Sequence, residues 1–188
     1  LKSPNHRLLF NPEILTERRA WENTIHPDRQ LVGWTEGNQG AAKEILALLP
    51  QAPLMAPSSD LDVTATEAEI IKYAANAFLA RKVVFANAMF EVAGHHGADY
   101  EKIRLGLGAD SRIGHSHLDV AHGGYRGYGG ACFIKDVDAL VAHARGQGLD
   151  HVADLVGADV RFNTGVLAAQ GLTPEDVARH DSGLNQEL

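Results

Sequence analysis

The 27 residues from Thr66 to Val92 contain neither glycine nor proline. A run of that length without a breaker predicts one helix of about seven turns, around which the rest of the chain must pack. Apolar residues recur along it at Ile70, Ala74, Ala77, Phe78, Val84, Phe85, Ala88, Met89 and Val92, a helical spacing. So much alanine in the stripe allows another helix to approach closely. A central core helix and a helix shared between two copies both satisfy this pattern. Thr66 with Glu69 predicts a capping box at the start, and Gly94 to Gly97 ends the run.

Before this helix the pattern alternates. Arg7 to Phe10, Gln30 to Trp34 and Pro53 to Ala56 fit short strands. Asn11-Pro12 opens a helical stretch, with proline tolerated in a first turn and Glu13 favourable at the positive end of the dipole. Ala41 to Leu49 is helical in spacing and stops at Pro50. Strand, helix, strand, helix, strand is the order of parallel-sheet units. After the long helix, Asp99 to Leu107 and Asp136 to Arg145 read as helices, as do Val152 to Val156 and Asn163 to Gln170. Gly108 to Gly130 is a loop rich in glycine and histidine, and Asp181 to Leu188 reads as a frayed tail.

Composition narrows the function. A formal charge of −7 with scattered Lys and Arg argues against a nucleic-acid surface. No stretch approaches the roughly 20 apolar residues of a membrane span. Cys132 is the single cysteine, so an internal disulfide cannot form, and a reducing, cytoplasmic setting is expected. Leu1-Lys2-Ser3 is neither an initiator methionine nor a signal peptide, which reads as a piece of something longer. His95-His96 and His115, His117 and His122 make metal binding conceivable. They lack a matching carboxylate or thiolate cluster, and no metal is expected.

The residues that carry chemistry begin at Gly129-Gly130-Ala131-Cys132-Phe133-Ile134-Lys135-Asp136. The glycines let the backbone turn sharply. The thiol follows, just before a helix that starts near Lys135. A helix N-terminus and an adjacent ammonium both favour thiolate, the reactive form. Asp136, four residues on, shares roughly one side of the first turn. The same spacing fits a small buried cysteine beside an ordinary N-terminal aspartate. Lys72 and Asn76 share a face of the long helix at i, i+4, where two donors can stabilise an oxyanion or simply form a solvated face. Glu13 and Glu17 repeat that spacing in the first helical stretch; like charges there cost a few tenths of a kcal/mol unless something binds them.

Together these pieces resemble the UDP-glucose 6-dehydrogenase family (UDP-glucose and GDP-mannose dehydrogenases). The likeness rests on Asn11-Pro12-Glu13-Ile14-Leu15-Thr16-Glu17, His26-Pro27-Asp28-Arg29 with Val32-Gly33, and Glu67 to Asn87. It continues through Asp110-Ser111-Arg112-Ile113-Gly114 and Gly127 to Asp136. Five motifs in the family's order make coincidence improbable. The resemblance implies an α/β remnant of a Rossmann-type domain followed by a mainly α-helical central dimerisation domain. Residues 1–57 would end the NAD-binding domain, 58–170 would form the central catalytic domain, and 171–188 would be a tail, with the C-terminal nucleotide-binding domain missing.

The implied reaction oxidises the sugar's alcohol carbon twice, with NAD reduced each time, so that UDP-glucose becomes UDP-glucuronate. Cys132 would attack at the aldehyde stage, giving a thiohemiacetal and then a thioester. Lys72 and Asn76 would hold the oxygen of the reacting carbon, Asp136 would help move protons, and Glu17 would assist thioester hydrolysis. Glu13, Leu15 and Thr16 would line the sugar nucleotide, with Tyr128 and Gly129 near the sugar. Arg112 would reach the substrate of a neighbouring subunit, in a homodimer formed through the 66–92 helix. Lys135 would lie near the cofactor.

The departures from the family are specific. The Gly-rich fingerprint that holds the NAD pyrophosphate is absent from this sequence, Ile134 replaces a proline, and the His115 to Arg126 loop is longer than usual. Turnover by this chain alone is therefore not expected. GDP-mannose as substrate and a non-catalytic dimerisation module remain alternatives. A hydroxyacid dehydrogenase, which would need no cysteine, is disfavoured by the GGACF segment.

Overall fold

The structure is a computed structural model that describes residues 7–15, 19–59, 61–121 and 123–183, with the side chains of 179–183 left aside. Two compact units divide the chain, Leu1–Ala74 and Ala75–Leu188.

In the first unit, strand β1 (Leu9–Phe10) pairs antiparallel with β3 (Gly33–Trp34). Strand β2 (Arg29–Leu31) pairs in parallel with β4 (Leu54–Ala56), with Arg29 opposite Leu54 and Leu31 opposite Ala56. Helix α2 (Gln39–Leu46) makes the crossover that a parallel pair needs. Its Ala42 and Leu46 bury against Val32, while Leu31, Ala56 and Val63 form a second small core. The three expected strand regions are therefore present, with one parallel pair among them. Residues 11–15 are not helical; the first helix, α1, runs Ala20–Ile25. Asn11 is drawn elsewhere, its side-chain amide donating to the Leu31 carbonyl of β2 at 2.7 Å.

Helix α3 (Ala65–His95) begins at a capping box two residues earlier than the spacing of Thr66 and Glu69 suggested. The backbone N–H of Glu67 donates to Thr64 Oγ1, and that of Thr64 donates to Glu67 Oε2 at 2.7 Å. Thr64 is already fixed by its bridge to Trp34, so the helix starts directly after it.

The second unit is helical: most of α3, then α4 (Tyr100–Gly108), α5 (Ala131–Gly146), α6 (Asp150–Ala168) and α7 (Pro174–Gly183). Asp99 caps α4 by accepting from the Glu101 N–H at 3.0 Å. Two apolar clusters line α3. One joins Ala86 and Ala93 to Tyr100, Leu118 and Val120; the other joins Ala80 and Val83 to Tyr128 and Val137. The expected helices at 152–156 and 163–170 are one helix. Gly157 does not break it, because α6 packs along α5 there: a Cβ at Gly157 would sit 3.9 Å from Val141 Cγ1. Packing of this kind outweighs glycine's poor helix propensity of about 1 kcal/mol. Residues 181–183, expected to fray, end α7, and 184–188 lie outside the described residues. An α/β segment followed by a mainly helical domain is thus the observed fold class. No helix among the described residues is long and apolar enough to cross a membrane.

Candidate active site around Cys132

Helix α5 starts at Ala131, earlier than Lys135, because Gly130 at φ 73° supplies the left-handed N-cap that a side chain would resist. Cys132 is therefore the second residue of the helix, and its thiol is exposed. One turn on, Asp136 is 1% exposed. Its two carboxylate oxygens are separately satisfied. Asn76 Nδ2 on α3 donates to Oδ2 at 2.6 Å, and Lys135 Nζ donates to Oδ1 at 2.7 Å. A buried carboxylate is tolerated only with such partners. The structure thus joins Asn76, Lys135 and Asp136 directly, and sets Cys132 one turn from them on α5.

The segment before the thiol is pinned from two sides. Arg126 lies 4.4 Å over the Phe90 ring, donates from Nε to Asn87 Oδ1 at 3.2 Å, and pairs with Glu91 at 3.0 Å, all on α3. Its backbone N–H donates to Gln170 Oε1 at 2.8 Å, and Gln170 Nε2 donates back to the Arg126 carbonyl at 3.0 Å. Tyr128 is held in the same way by Asn163 on α6, with bonds of 2.7 and 3.0 Å. Between these residues, Gly127 has φ 98°, and a Cβ there would lie 2.7 Å from Asn163 Oδ1. The Tyr128 ring is buried with Ala80, Val83 and Val137, and burial pushes its hydroxyl well above the usual tyrosine range. Gly129 follows, half-buried.

Arg112 is largely exposed and bonds locally to Asp110, its Nη2 lying 2.6 Å from Oδ2; this contact holds the Asp110 carboxyl below its ordinary range. Lys72 is half-buried one turn before Asn76 on α3, within the first unit. Glu13 and Leu15 are exposed in that unit, whereas Thr16 and Glu17 lie outside the described residues. No group of three His, Cys, Asp or Glu side chains suited to a metal occurs among the described residues. Sequence reasoning missed Arg126, Asn87, Asn163 and Gln170. An asparagine inside an otherwise apolar helical stretch, as at Asn87, was the one signal that could have found them.

Two residues beyond Asp136, Asp138 has its carboxyl raised by burial first and by the Glu175 charge second. A raised carboxyl contributes stability below its unfolded value and loses it as pH rises through the folded value. Asp138→Asn is therefore expected to raise the melting temperature at pH 7 and to leave it unchanged at pH 3, read by thermal unfolding at both. A lower melting temperature at pH 7 would show that the charge is favourable there.

Fold and site together define a helical domain organised around one cysteine-bearing loop. The model of the UDP-glucose/GDP-mannose dehydrogenase family, central domain, matches residues 66–165. The chain belongs to this family. It is 38% identical over 164 residues to a UDP-glucose 6-dehydrogenase of Rhizobium meliloti, covering 87% of this chain and 36% of that protein. It is 43% identical over 140 residues to a UDP-glucose 6-dehydrogenase of Pseudomonas aeruginosa, covering 74% and 29%. The structure of a UDP-glucose dehydrogenase from Pyrobaculum islandicum aligns with TM-score 0.71 at 34% identity, over 84% of this chain and 34% of that one. The chain spans about a third of the length of the curated relatives it matches.

Proposed function

We propose that this chain is the cysteine-bearing central part of an NAD-dependent nucleotide-sugar dehydrogenase that oxidises UDP-glucose to UDP-glucuronate. The observation that carries the reading is the exposed Cys132 thiol on the first turn of α5, one turn from the buried Asp136 that Asn76 and Lys135 satisfy. In this reading Cys132 Sγ adds to the aldehyde carbon at C6, and the aldehyde oxygen takes up a proton to give a thiohemiacetal. Loss of a hydride from that carbon, which NAD would accept, and of the hydroxyl proton converts the adduct to a thioester; water then cleaves this to the carboxylate and the free thiol, assisted by Glu17. An amide has two N–H donors; one of Asn76's is bonded to Asp136, and the other serves with Lys72 to hold the reacting oxygen. Asp136 fixes that amide and passes protons with water. Glu13, Leu15 and Thr16 line the sugar nucleotide, Tyr128 and Gly129 shape the sugar side through their backbone, and Arg112 serves the neighbouring subunit's substrate.

NAD would be the hydride acceptor in this reading, with Lys135 near it. Lys135, the residue matched to the cofactor side, is bonded to Asp136. A homodimer through α3 belongs to the same reading: Phe78, Phe85 and Val92, seven residues apart, stand 64%, 51% and 50% exposed along one face. A reduced, cytoplasmic setting suits a working thiol.

Alkylation of Cys132 by iodoacetamide, with and without UDP-glucose or GDP-mannose, tests the reading. Several-fold slowing by UDP-glucose is expected. Slowing by GDP-mannose alone would move the substrate to that sugar. No slowing by either would leave a dimerisation module without catalysis.

A further inference from the structure

Helix α6 meets the segment before the thiol as a neighbouring strand would. A side-chain amide offers one donor and one acceptor side, the same pair that a peptide group offers. Gln170 exchanges both bonds with the backbone of Arg126, and Asn163 exchanges both with that of Tyr128. Two amides seven residues apart lie on one face of α6 and its C-terminal turn, and they satisfy alternate residues of the loop. Seven residues of helix rise about 10.5 Å, whereas two residues of chain reach at most about 7 Å. Gln170 is one methylene longer and reaches back along α6, its Nε2 also donating to the Val166 carbonyl at 2.8 Å. Gly127 is the residue between the two rungs, where any side chain would strike Asn163 Oδ1.

Burial of Tyr128 obliges its backbone N–H and carbonyl to find partners, and Asn163 supplies both. The arrangement also fixes where the chain enters α5. From Tyr128, held on both sides, only Gly129, Gly130 and Ala131 intervene before Cys132. Reacting groups must be held to a fraction of an ångström for useful rates, and supporting bonds from rigid elements do this.

We infer that Asn163 and Gln170 are positioning residues for Cys132, acting through the two-rung amide ladder that sets the start of α5. The inference rests on the reading of Cys132 as the reacting thiol. Asn163 is 3% exposed, so its replacement also threatens folding; the exposed Gln170 carries the decisive variants.

Backbone amide exchange at Arg126 and Tyr128 and alkylation of Cys132, both in the full chain, form the test. Gln170→Ala is expected to speed exchange at Arg126 and at Tyr128, and to change the alkylation rate at least threefold while helix content by circular dichroism is kept. Ala169→Ser serves as the control that changes neither. Gln170→Glu keeps an acceptor but loses the donor at neutral pH. A protonated carboxyl restores both, so exchange at Tyr128, the next rung, which the lost bond to the Arg126 carbonyl should loosen, is expected to return to that of the unmodified chain below a pH of about 4.3. Loosened amides with an alkylation rate within twofold of the unmodified chain would overturn the inference, leaving α6 as mere support. So would a Gln170→Glu profile flat with pH. Absence of protection by UDP-glucose in the unmodified chain, with the ladder effects intact, would sink the proposed substrate instead, so the two failures are separable.

Discussion

Asp136→Ala is expected to lower the unfolding free energy by about 3 kcal/mol, near the upper end for a single substitution. The carboxylate is 1% exposed and accepts from Asn76 at 2.6 Å and Lys135 at 2.7 Å. Hydrogen bonds to charged groups contribute roughly 1.5–3 kcal/mol each when buried. The Lys135 side chain is 63% exposed, so water screens its share, and most of the effect lies on Asn76. Asn76→Ala, which leaves the carboxylate one donor short, should cost about 2 kcal/mol. Because the two residues act on one bond, the double variant should lose less than the sum, with a coupling of about 1–2 kcal/mol. Urea unfolding of the two single variants and the double variant measures this from the midpoints, provided the slopes stay equal. Strict additivity would mean that the Asn76–Asp136 bond contributes nothing and that Asp136 is buried for another reason.

That pair also marks the limit of what spacing along the chain reveals. Cys132, Lys135 and Asp136 were legible as a group because they occupy one turn of one helix, where local periodicity is enough. Asn76 was legible as a polar residue on α3, but its partner lies 60 residues away, and only packing brings the two together. The loop clamps are more distant from local signals: Asn163 reaches Tyr128 across 35 residues and Gln170 reaches Arg126 across 44. Neither amide disturbs the pattern of its own helix. At the start of α3, two Thr-x-x-Glu frames overlap, and the choice between them was made by the bridge of Thr64 to Trp34, a tertiary event. The long helix itself was evident from its lack of glycine and proline. Its apolar stripe, however, mixed two faces: Ala77, Val84 and Met89 pack inward, whereas Ile70, Phe78, Phe85 and Val92 face outward. Binary patterning cannot separate an inner face from an outer one when both are apolar.

The outward face yields the prediction with the largest effect on assembly. Phe78, Phe85 and Val92 recur every seven residues, so they form a nearly straight row along α3. Phe78 and Phe85 also line a groove of about 250 Å³ with Leu107, Ile113 and Leu118, with Arg81 and Lys82 among its lining residues. Lys82 braces the Ile113 end of that groove by donating to the Ile113 carbonyl at 3.0 Å. Fully burying one large apolar side chain gains about 1.5–3 kcal/mol, and a two-fold contact between copies would count each residue twice. Phe85→Glu should therefore weaken association by at least about 100-fold, or roughly 2.7 kcal/mol, and turn a dimer into a monomer at micromolar concentration. Because Phe85 is half-exposed in the single chain, the variant should retain its helix content. Sedimentation equilibrium reads the mass directly. Thermal unfolding supplies an independent check: the melting temperature of a dimer rises with concentration, so that dependence is expected of the unmodified chain and not of the Phe85→Glu chain. A variant that still sediments as a dimer would move the interface off this face. An unmodified chain that stays monomeric, with a melting temperature indifferent to concentration, would remove the α3 dimer from the proposed function altogether.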